Sequence, residues 1–365
     1  MRSRRVSIVT ESAATPQRAP ASLCIFRLSA IGDATHVLPV IRTVQHYWPE
    51  TAITWVVGRT EAGLVGDLAG VTYRILNKGE GIPHCWRRLR EAERGRSHDV
   101  ILQLQSSLRA SLIATALSGR RRIGFDKDRA INGQWLFVNE RIAASPGQHV
   151  LDGFFGFLEQ AGLPLRELSW DIPLPPSAVA FAQQVLPRDP PVLAVSPCSS
   201  QRFRNFRDWP VARFITVADH AAECGFQVVL TGGPSARERD YAAAIRGGVR
   251  RPVLDLTGKT TLKQLAAVLA HCKGLISPDS GPAHIASALD IPVIGLYATS
   301  NPGRTGPYRN REFVIDRYPE AVRRYLGCAV ESVPWGARVR HPEAMNLISV
   351  RDVCAKIGQL VSRKD

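Results

Sequence analysis

The segment GLISPDSGPAHIASALDIPVIGLY, residues 274–297, contains one complete strand–helix–strand unit. Its first apolar run, Gly274–Ser277, predicts a buried strand, and Pro282–Leu289 predicts a helix with proline in its first turn. A second apolar run, Pro292–Tyr297, predicts the following strand. Short apolar strands that alternate with helices are typical of a parallel sheet, so the segment predicts an α/β fold.

The same alternation continues on both sides of this segment. The further predicted strands are Ser22–Leu28, Ala52–Val57, His98–Gln103, Arg122–Phe125, Trp135–Val138, Pro191–Ser196, Gln227–Thr231 and Val253–Asp255. The further predicted helices are Ile31–Tyr47, Ser177–Leu186, Val211–Cys224, Ser235–Ile245, Leu262–His271 and Val350–Ser362. Seven prolines between residues 164 and 191 interrupt the pattern, and proline is excluded from helix interiors and central strands. The chain is therefore predicted to divide there into two domains.

Two Rossmann-like domains facing each other across a cleft are the predicted architecture. We place the first domain at 21–175 and the second at 176–335, and a length of 365 residues suits two domains. The C-terminal helical segment, 336–365, is expected to pack back on the first domain because no strand follows its helix. Residues 1–20 start basic but lack an apolar core, so we expect a disordered leader there, with a misassigned start codon as the alternative.

The composition excludes several classes of protein. Apolar residues make up 45% and charged residues 22%, as in an ordinary globular protein, and no run approaches the roughly 18 apolar residues of a transmembrane helix. The 47 Lys and Arg outnumber the 32 Asp and Glu, and a net charge of +15 favours an anionic partner: nucleic acid, a phospholipid surface or a phosphorylated substrate. Seven cysteines without a Cys-x-x-Cys pair argue against a zinc site or a disulfide framework and favour the reducing cytoplasm.

Polar residues follow the predicted strands, and ligands of open parallel sheets bind at the carboxyl ends of the strands. Asp33 follows the first strand and lies in the first turn of the next helix, where a carboxylate can act as a general base. Capping and the helix dipole also favour aspartate at this position, so a structural role is the alternative. His36, one turn further on, is a candidate for acceptor binding, although a packed or solvated histidine is the commoner case.

Two loops of the C-terminal half are candidate anion sites. Hydroxyl, carboxylate and backbone amide groups converge where a strand meets a helix at Asp279, Ser280, Gly281 and His284. A plain capped helix is the alternative for this loop. The loop PCSSQRFRNFRDWP, residues 197–210, carries three arginines and two serines, which suit a diphosphate, whereas a solvated basic loop is the alternative.

Other patterns argue against competing chemistries. The chain has no Gly-x-Gly-x-x-Gly or Walker A pattern, which disfavours a dinucleotide or P-loop site. Asp126-Lys127-Asp128 matches the Asp-x-Asp pattern of metal-dependent transferases, but its polar surroundings predict a turn, and we predict no metal site. The basic stretches Arg87–Arg96 and Arg120-Arg121-Arg122 are either solvated faces or surfaces for an anionic acceptor or a membrane. No array of aromatic and basic residues resembles a nucleic-acid module, so nucleic acid is not expected as a partner.

Three motifs in order carry a resemblance to a known family. They are RLSAIGDATH at 27–36, DLTGKTTL at 255–262 and SPDSGPAHIASA at 277–288. The chain resembles glycosyltransferase family 9, the bacterial lipopolysaccharide heptosyltransferases, over residues 22–310. The nearest subgroup is heptosyltransferase I with its OpsX-like branch.

The resemblance implies a GT-B fold that binds the acceptor on the first domain and the nucleotide-sugar on the second. It implies ADP-L-glycero-β-D-manno-heptose as donor, the Kdo region of Kdo-lipid A as acceptor, inversion at the anomeric carbon, and no metal or cofactor. The acceptor and the basic charge together indicate a cytoplasmic protein that is peripheral on the inner leaflet of the cytoplasmic membrane.

The resemblance also assigns residues. Asp33 matches the catalytic base of the family, and an aspartate is ionised at neutral pH. The family's donor-binding positions are matched by Ser199, Ser200, Arg207, Thr260, Asp279, Ser280, Gly281 and His284. For the acceptor we assign His36, Arg120, Arg121 and Arg122. The chain departs from the family at Cys198, where glycine or alanine is frequent, and at 298–300, where Ala-Thr-Ser replaces Gly-Pro-Thr.

Two other functions remain open at this point. The first is a GT-B enzyme for a different nucleotide-sugar or acceptor, including a nucleotide-sugar epimerase. The second is a non-catalytic basic binding protein, which the intact motifs at Asp33 and Asp279–His284 disfavour.

Overall fold

The computed structural model describes residues 18–199 and 205–363. These residues form two units that divide between Pro173 and Leu174, close to the predicted boundary at 175. Most of the predicted leader and the candidate Ser200 lie outside the described residues. The chain just before the first strand is held at Pro20, whose carbonyl accepts a hydrogen bond of 2.7 Å from Thr51 Oγ1.

The first unit is built on a six-stranded, fully parallel sheet with the order β3-β2-β1-β4-β5-β6. Its strands are β1 (Ser22–Phe26), β2 (Ala52–Gly58), β3 (Val71–Leu76), β4 (His98–Gln103), β5 (Gly119–Gly124) and β6 (Glu140–Arg141). Its helices are α1 (Ile31–Tyr47), α2 (Arg59–Val65), α3 (Ile82–Ala92), α4 (Leu108–Ala114) and α5 (Val150–Ala161). The central strands are buried almost throughout, which explains their continuous apolar runs.

The second unit repeats the same strand order. Its parallel sheet runs β9-β8-β7-β10-β11-β12, so that the first strand of each unit is flanked by its second and its fourth. Its strands are β7 (Val192–Val195), β8 (Gln227–Leu230), β9 (Leu254–Asp255), β10 (Gly274–Pro278), β11 (Val293–Tyr297) and β12 (Ile315–Asp316). Its helices are α6 (Pro176–Val185), α7 (Val211–Glu223), α8 (Ala236–Gly248), α9 (Leu262–Ala270), α10 (Gly281–Ala288), α11 (Pro302–Thr305), α12 (Tyr318–Leu326) and α13 (Val350–Ser362).

One predicted strand is wrong. The stretch Trp135–Val138 is not a strand: a 3-10 segment covers Ile131–Leu136, and the next strand begins at Glu140. Asn132 and Gly133 have φ of 56° and 72°, a left-handed conformation that interrupts an extended chain. The apolar run at 135–138 does not mark a buried strand, because Trp135 and Leu136 are exposed while the polar Gln134 is buried.

Several elements have no clear signal in the sequence. Strand β3 lies at the edge of its sheet and is only partly buried, so its apolar run is short. Helix α3 has only Cys85 and Leu89 buried and carries three arginines, so it resembles a solvated basic stretch. Strand β12 has two residues and leaves no periodic pattern.

The final helix, α13, was expected to pack on the first domain, but it packs in the core of the second unit. Val353, Ile357 and Leu360 of α13 belong to the same buried core as strand β10, within the second unit. A Cβ at Gly274 would lie 2.7 Å from Leu360 Cδ1, so the helix closely covers the start of β10. The helix needs no strand after it because an existing sheet already offers an apolar face to cover.

Replacement of Ile357 by alanine tests this placement. Since Ile357 is fully buried in the core of the second unit, Ile357→Ala is expected to lower the free energy of unfolding by about 2–5 kcal/mol. Arg351→Ala on the exposed face of the same helix is the matched control and is expected to change it by less than about 0.5 kcal/mol. Urea unfolding of both variants measures the difference, and equal effects would contradict the packing.

Candidate functional site

Asp33 lies at the carboxyl edge of the first sheet, in the first turn of α1. Its carboxylate forms an ion pair with Arg27, the residue that follows β1, and accepts a hydrogen bond of 3.1 Å from the amide of Ala30. The Asp33 side chain is 28% exposed. The carboxylate is therefore fixed in direction and still open to a hydroxyl group from solution.

Arg27 is itself held in place by its surroundings. Its guanidinium group donates a hydrogen bond to the carbonyl of Leu104 and lies 5.4 Å from the ring centroid of Phe154, above the ring. Only 13% of the Arg27 side chain is exposed. A largely buried arginine of this kind sets the position of the Asp33 carboxylate and keeps a positive charge beside it.

Two glutamines brace the loop between β1 and Asp33. Gln105, which follows β4, accepts a hydrogen bond of 2.9 Å from the amide of Leu28 and donates one of 3.3 Å to Ser29 Oγ. Gln134 is fully buried and donates to the carbonyls of Gln103 and Gln105 at 2.8 and 3.3 Å. Sequence reasoning missed both glutamines, because each contact spans a long stretch of chain and no motif marks either residue.

His36, which we assigned to acceptor binding, has a buried side chain. His36 is 3% exposed, and its ring packs edge-on against His149 with 5.1 Å between the ring centroids. His149 is the N-cap of α5, so the two rings join α1 to α5. In this position His36 supports the helix that carries Asp33 and offers little surface to a ligand.

The three arginines at 120–122 lie at the wrong edge of the sheet for an acceptor site beside Asp33. Arg121 pairs with Val100, which pairs with Leu23 near the start of β1, whereas Asp33 follows the end of β1. Arg121 binds Glu140 at 2.7 Å, and Arg122 donates to the carbonyls at 114 and 117. Arg120 is exposed on the same strand. The predicted cluster therefore stabilises the amino-terminal side of the unit.

In the second unit, Asp279 lies at the end of β10 and its side chain is only 7% exposed. Arg207 donates a hydrogen bond of 2.8 Å to the Asp279 carbonyl, and its Nη1 lies 3.4 Å from Oδ2. His284 Nε2 lies 3.7 Å from Oδ1, and Arg338 Nη2 lies 3.8 Å from Oδ2. The buried Asp279 carboxylate thus contacts side chains from three separate parts of the chain.

The charge of Asp279 is strongly favoured by these neighbours. Burial alone would raise the pKa of Asp279, but the interaction with His284 and the positive charges of Arg207 and Arg338 outweigh it and hold the pKa well below its ordinary value. The carboxylate therefore stays ionised at any pH at which the protein works.

The start of α10 completes this group of residues. Ser280 is the N-cap, and its Oγ lies 2.7 Å from Ser277 Oγ and does not bond a backbone amide of the helix. The first turn of α10 contains Gly281, Pro282 and His284. Amides of a helix N-terminus that the N-cap side chain leaves unbonded are available to an anion.

The remaining donor-binding candidates are spread along the same edge. Ser199 follows β7, and its Oγ donates to Asp208 at 2.8 Å and accepts from Asn205 Nδ2 at 2.7 Å. Thr260 follows β9, which lies three strands from β10, or about 14 Å away. The structure therefore brings Arg207, Asp279, Ser280, Gly281 and His284 together and places Thr260 at the far end of the row.

The Asp126-x-Asp128 stretch forms the predicted turn. Asp126 Oδ1 accepts from the amides of Asp128 and Arg129 at 3.0 and 3.3 Å, and its other oxygen pairs with the Arg129 side chain. Within 18–199 and 205–363, no group of three or more His, Cys, Asp or Glu side chains is arranged to hold a metal ion. In the same ranges, no helix is both long and apolar enough to cross a membrane.

The low pKa of Asp279 predicts a pH dependence of stability. Because the folded-state pKa is below the unfolded one, the folded state binds fewer protons in acid, so this contribution is full above about pH 5 and is lost as the pH falls. Asp279→Asn is expected to destabilise the protein and to reduce the slope of unfolding free energy against pH, by up to about 1.4 kcal/mol per pH unit below pH 4.

Urea unfolding between pH 3 and pH 6 measures this slope. Asp240→Asn, at an exposed position of α8, is the matched control and is expected to leave the slope unchanged. Equal slopes for wild type and Asp279→Asn would show that the carboxylate carries no depressed pKa.

Comparisons with known proteins match most of the chain to one family. The sequence profile of glycosyltransferase family 9 (heptosyltransferase) matches residues 86–330. The chain is 36% identical to the lipopolysaccharide core heptosyltransferase OpsX of Haemophilus influenzae, over 94% of this chain and 97% of that one. It is 26% identical to lipopolysaccharide heptosyltransferase 1 of Pseudomonas aeruginosa, over 78% and 80% of the two chains.

Solved structures share the fold at lower identity. A glycosyl transferase family 9 protein of Veillonella parvula superposes with a TM-score of 0.76 at 20% identity, over 94% of this chain and 98% of that one. The Escherichia coli heptosyltransferase WaaC, solved with ADP, gives 0.69 at 21% identity over 93% and 99%. The predicted GT-B class with two Rossmann-like α/β domains is confirmed, and so is the resemblance found in the sequence. The chain belongs to glycosyltransferase family 9, the heptosyltransferases.

Proposed function

We propose that the protein transfers L-glycero-D-manno-heptose from ADP-heptose to the Kdo region of the lipopolysaccharide inner core, with inversion at the anomeric carbon and without a metal. The relatives named for lipopolysaccharide heptosyl transfer support the reaction class. The observation that carries the proposal is the Asp33 carboxylate, which Arg27 fixes in direction and which is still 28% exposed.

Asp33 acts as the general base in this proposal. As the acceptor oxygen attacks C1 of the heptose, its proton passes to an Asp33 carboxylate oxygen, the C1–oxygen bond to the diphosphate breaks, and ADP leaves. The Arg27 guanidinium stabilises the carboxylate before transfer and sets its direction. The amide of Ala30 holds one oxygen, so the carboxylate cannot rotate away from the acceptor.

The second unit holds the donor. The positive charges of Arg207 and Arg338 and the amides at the start of α10 stabilise the diphosphate as its charge grows. Asp279 positions Arg207 and Arg338, and its single negative charge leaves the two arginines a net positive charge for the diphosphate. Ser280, Gly281 and His284 complete the site, with Ser199 and Thr260 further along the row.

These cations supply what a metal provides in other transferases. Guanidinium groups and helix-terminal amides neutralise a leaving diphosphate without a bound ion. Both oxygens of Asp126 are taken by backbone amides and by Arg129, so the Asp-x-Asp stretch is used for structure. We therefore infer that transfer is resistant to chelators.

Replacement of Asp33 tests the base. Asp33→Asn is expected to lower kcat by about 100-fold or more, because the amide cannot accept the proton, and to leave the affinity for ADP-heptose unchanged. Asp128→Asn, an exposed aspartate of the same unit, is the matched control and is expected to keep full activity. The assay is ADP release with ADP-heptose and heptose-deficient Kdo-lipid A, with and without EDTA. Full turnover by Asp33→Asn would remove Asp33 as the base.

Replacement of Arg207 tests the donor site. Arg207→Ala is expected to weaken ADP-heptose binding about tenfold or more, because a hydrogen-bonded charge is lost beside the diphosphate, and Arg207→Lys is expected to weaken it less. Arg250→Ala, an exposed arginine of the second unit, is the control. Calorimetric titration with ADP, UDP and GDP beside ADP-heptose measures affinity and nucleotide preference. Unchanged affinity in Arg207→Ala would exclude Arg207 from the donor site.

A further inference from the structure

The first unit carries a concentration of exposed apolar side chains. Within the described residues, nine large apolar side chains are exposed, and five of them lie on two adjoining elements. We call these five residues the apolar patch: Leu108 and Leu112 on α4, and Ile131, Trp135 and Leu136 on the 3-10 segment. Trp135 is 51% and Leu136 is 68% exposed. A contiguous patch of this kind marks an interaction surface more often than scattered apolar residues do.

The surroundings of the patch are basic. Arg109 lies between the two leucines on α4, and the neighbouring helix α3 exposes Arg87, Arg88 and Arg90. Within α3, α4 and the 3-10 segment the acidic residue is Glu91, and Glu80, just before α3, pairs with His84 at 3.3 Å. Apolar side chains that include a tryptophan, with arginines on the same helix and on the helix beside it, match the interface of an anionic lipid bilayer.

The patch shares an edge of the sheet with Asp33. Helix α4 follows the end of β4 and the 3-10 segment follows the end of β5, while Asp33 follows the end of β1, and β1, β4 and β5 are neighbours. A direct chain of hydrogen bonds joins them: Gln134, beside Trp135, binds the Gln105 carbonyl, and the Gln105 side chain binds the Asp33 loop. A surface that contacts the patch therefore meets the side of the unit that presents the Asp33 carboxylate.

We propose that the apolar patch and its arginines dock the first unit on an anionic phospholipid surface, with Trp135 and Leu136 inserted at the headgroup level. Docking in this way brings a lipid-linked acceptor to the edge that carries Asp33. The inference rests on the proposed function only in taking the acceptor to be lipid-linked. Gln105 and Gln134 hold the Asp33 loop in position while Trp135 and Leu136 enter the lipid.

The binding test uses the full chain with phosphatidylcholine vesicles, alone or mixed with phosphatidylglycerol. Wild type is expected to co-sediment with the anionic vesicles and to bind them less tightly as salt is raised. The double variant Trp135→Ser/Leu136→Ser is expected to lower the partition coefficient about tenfold or more, since two large apolar side chains are lost. Leu326→Ser/Val361→Ser removes two similarly exposed side chains of the second unit and is expected to leave partition unchanged.

Turnover separates this inference from the proposed function. With an acceptor sugar that carries no acyl chains, the patch variant is expected to keep wild-type kcat and an unchanged melting temperature. Vesicle binding that depends on the patch, in a chain that turns over no acceptor, would contradict the proposed function alone. Turnover with no vesicle binding, or with binding unaffected by the patch variant, would overturn the docking surface alone. A dimer that the patch variant dissociates, in a chain that ignores vesicles, would identify a second copy as the occupant and also overturn it.

Discussion

A reversal of strand order is the constraint on which the candidate sites of both units depend. In each sheet the first strand lies between the second and the fourth, so the connections from the first and fourth strands leave in opposite directions and open a crevice at their carboxyl ends. In the first unit this crevice holds the Asp33 loop after β1 and Gln105 after β4. In the second it holds Arg207 after β7 and Asp279 after β10.

Two aspartates occupy these crevices in different electrostatic settings. Asp279 is buried among two arginines and a histidine, and removing one partner would leave a buried charge poorly compensated, which costs about 3–5 kcal/mol. Asp33 has one arginine and a fourfold larger exposed fraction, 28% against 7%. The first arrangement suits a fixed scaffold for an anionic ligand, and the second suits a carboxylate that must take a proton and release it.

The predictable part of the protein is the part that the sequence encodes locally. Apolar runs predict the central strands, because both faces of a parallel sheet are covered. The candidate loops are predictable because they directly follow these strands. Gln105, Gln134 and Arg338 could not be found in this way, because each contacts residues that are far from it in the sequence. Arg338 reaches Asp279 because the amide of Val339 binds the carbonyl of Thr299, beyond the end of β11.

Basic clusters show the limit of reasoning from charge. The arginines at 120–122 form the densest basic run of the first unit, yet the register of β5 sends them to the amino-terminal edge, where Arg121 and Arg122 bind carbonyls and Glu140. The arginines of α3 and α4 are more dispersed in sequence, but they lie on a helix of the apolar patch, α4, and on α3, which packs against it. An anionic surface attracts the whole chain through its net charge of +15, whereas orientation requires a local pairing of charge with apolar area. Within the described residues of the first unit, the second group pairs arginines with exposed apolar side chains, and the proposed docking therefore rests on it.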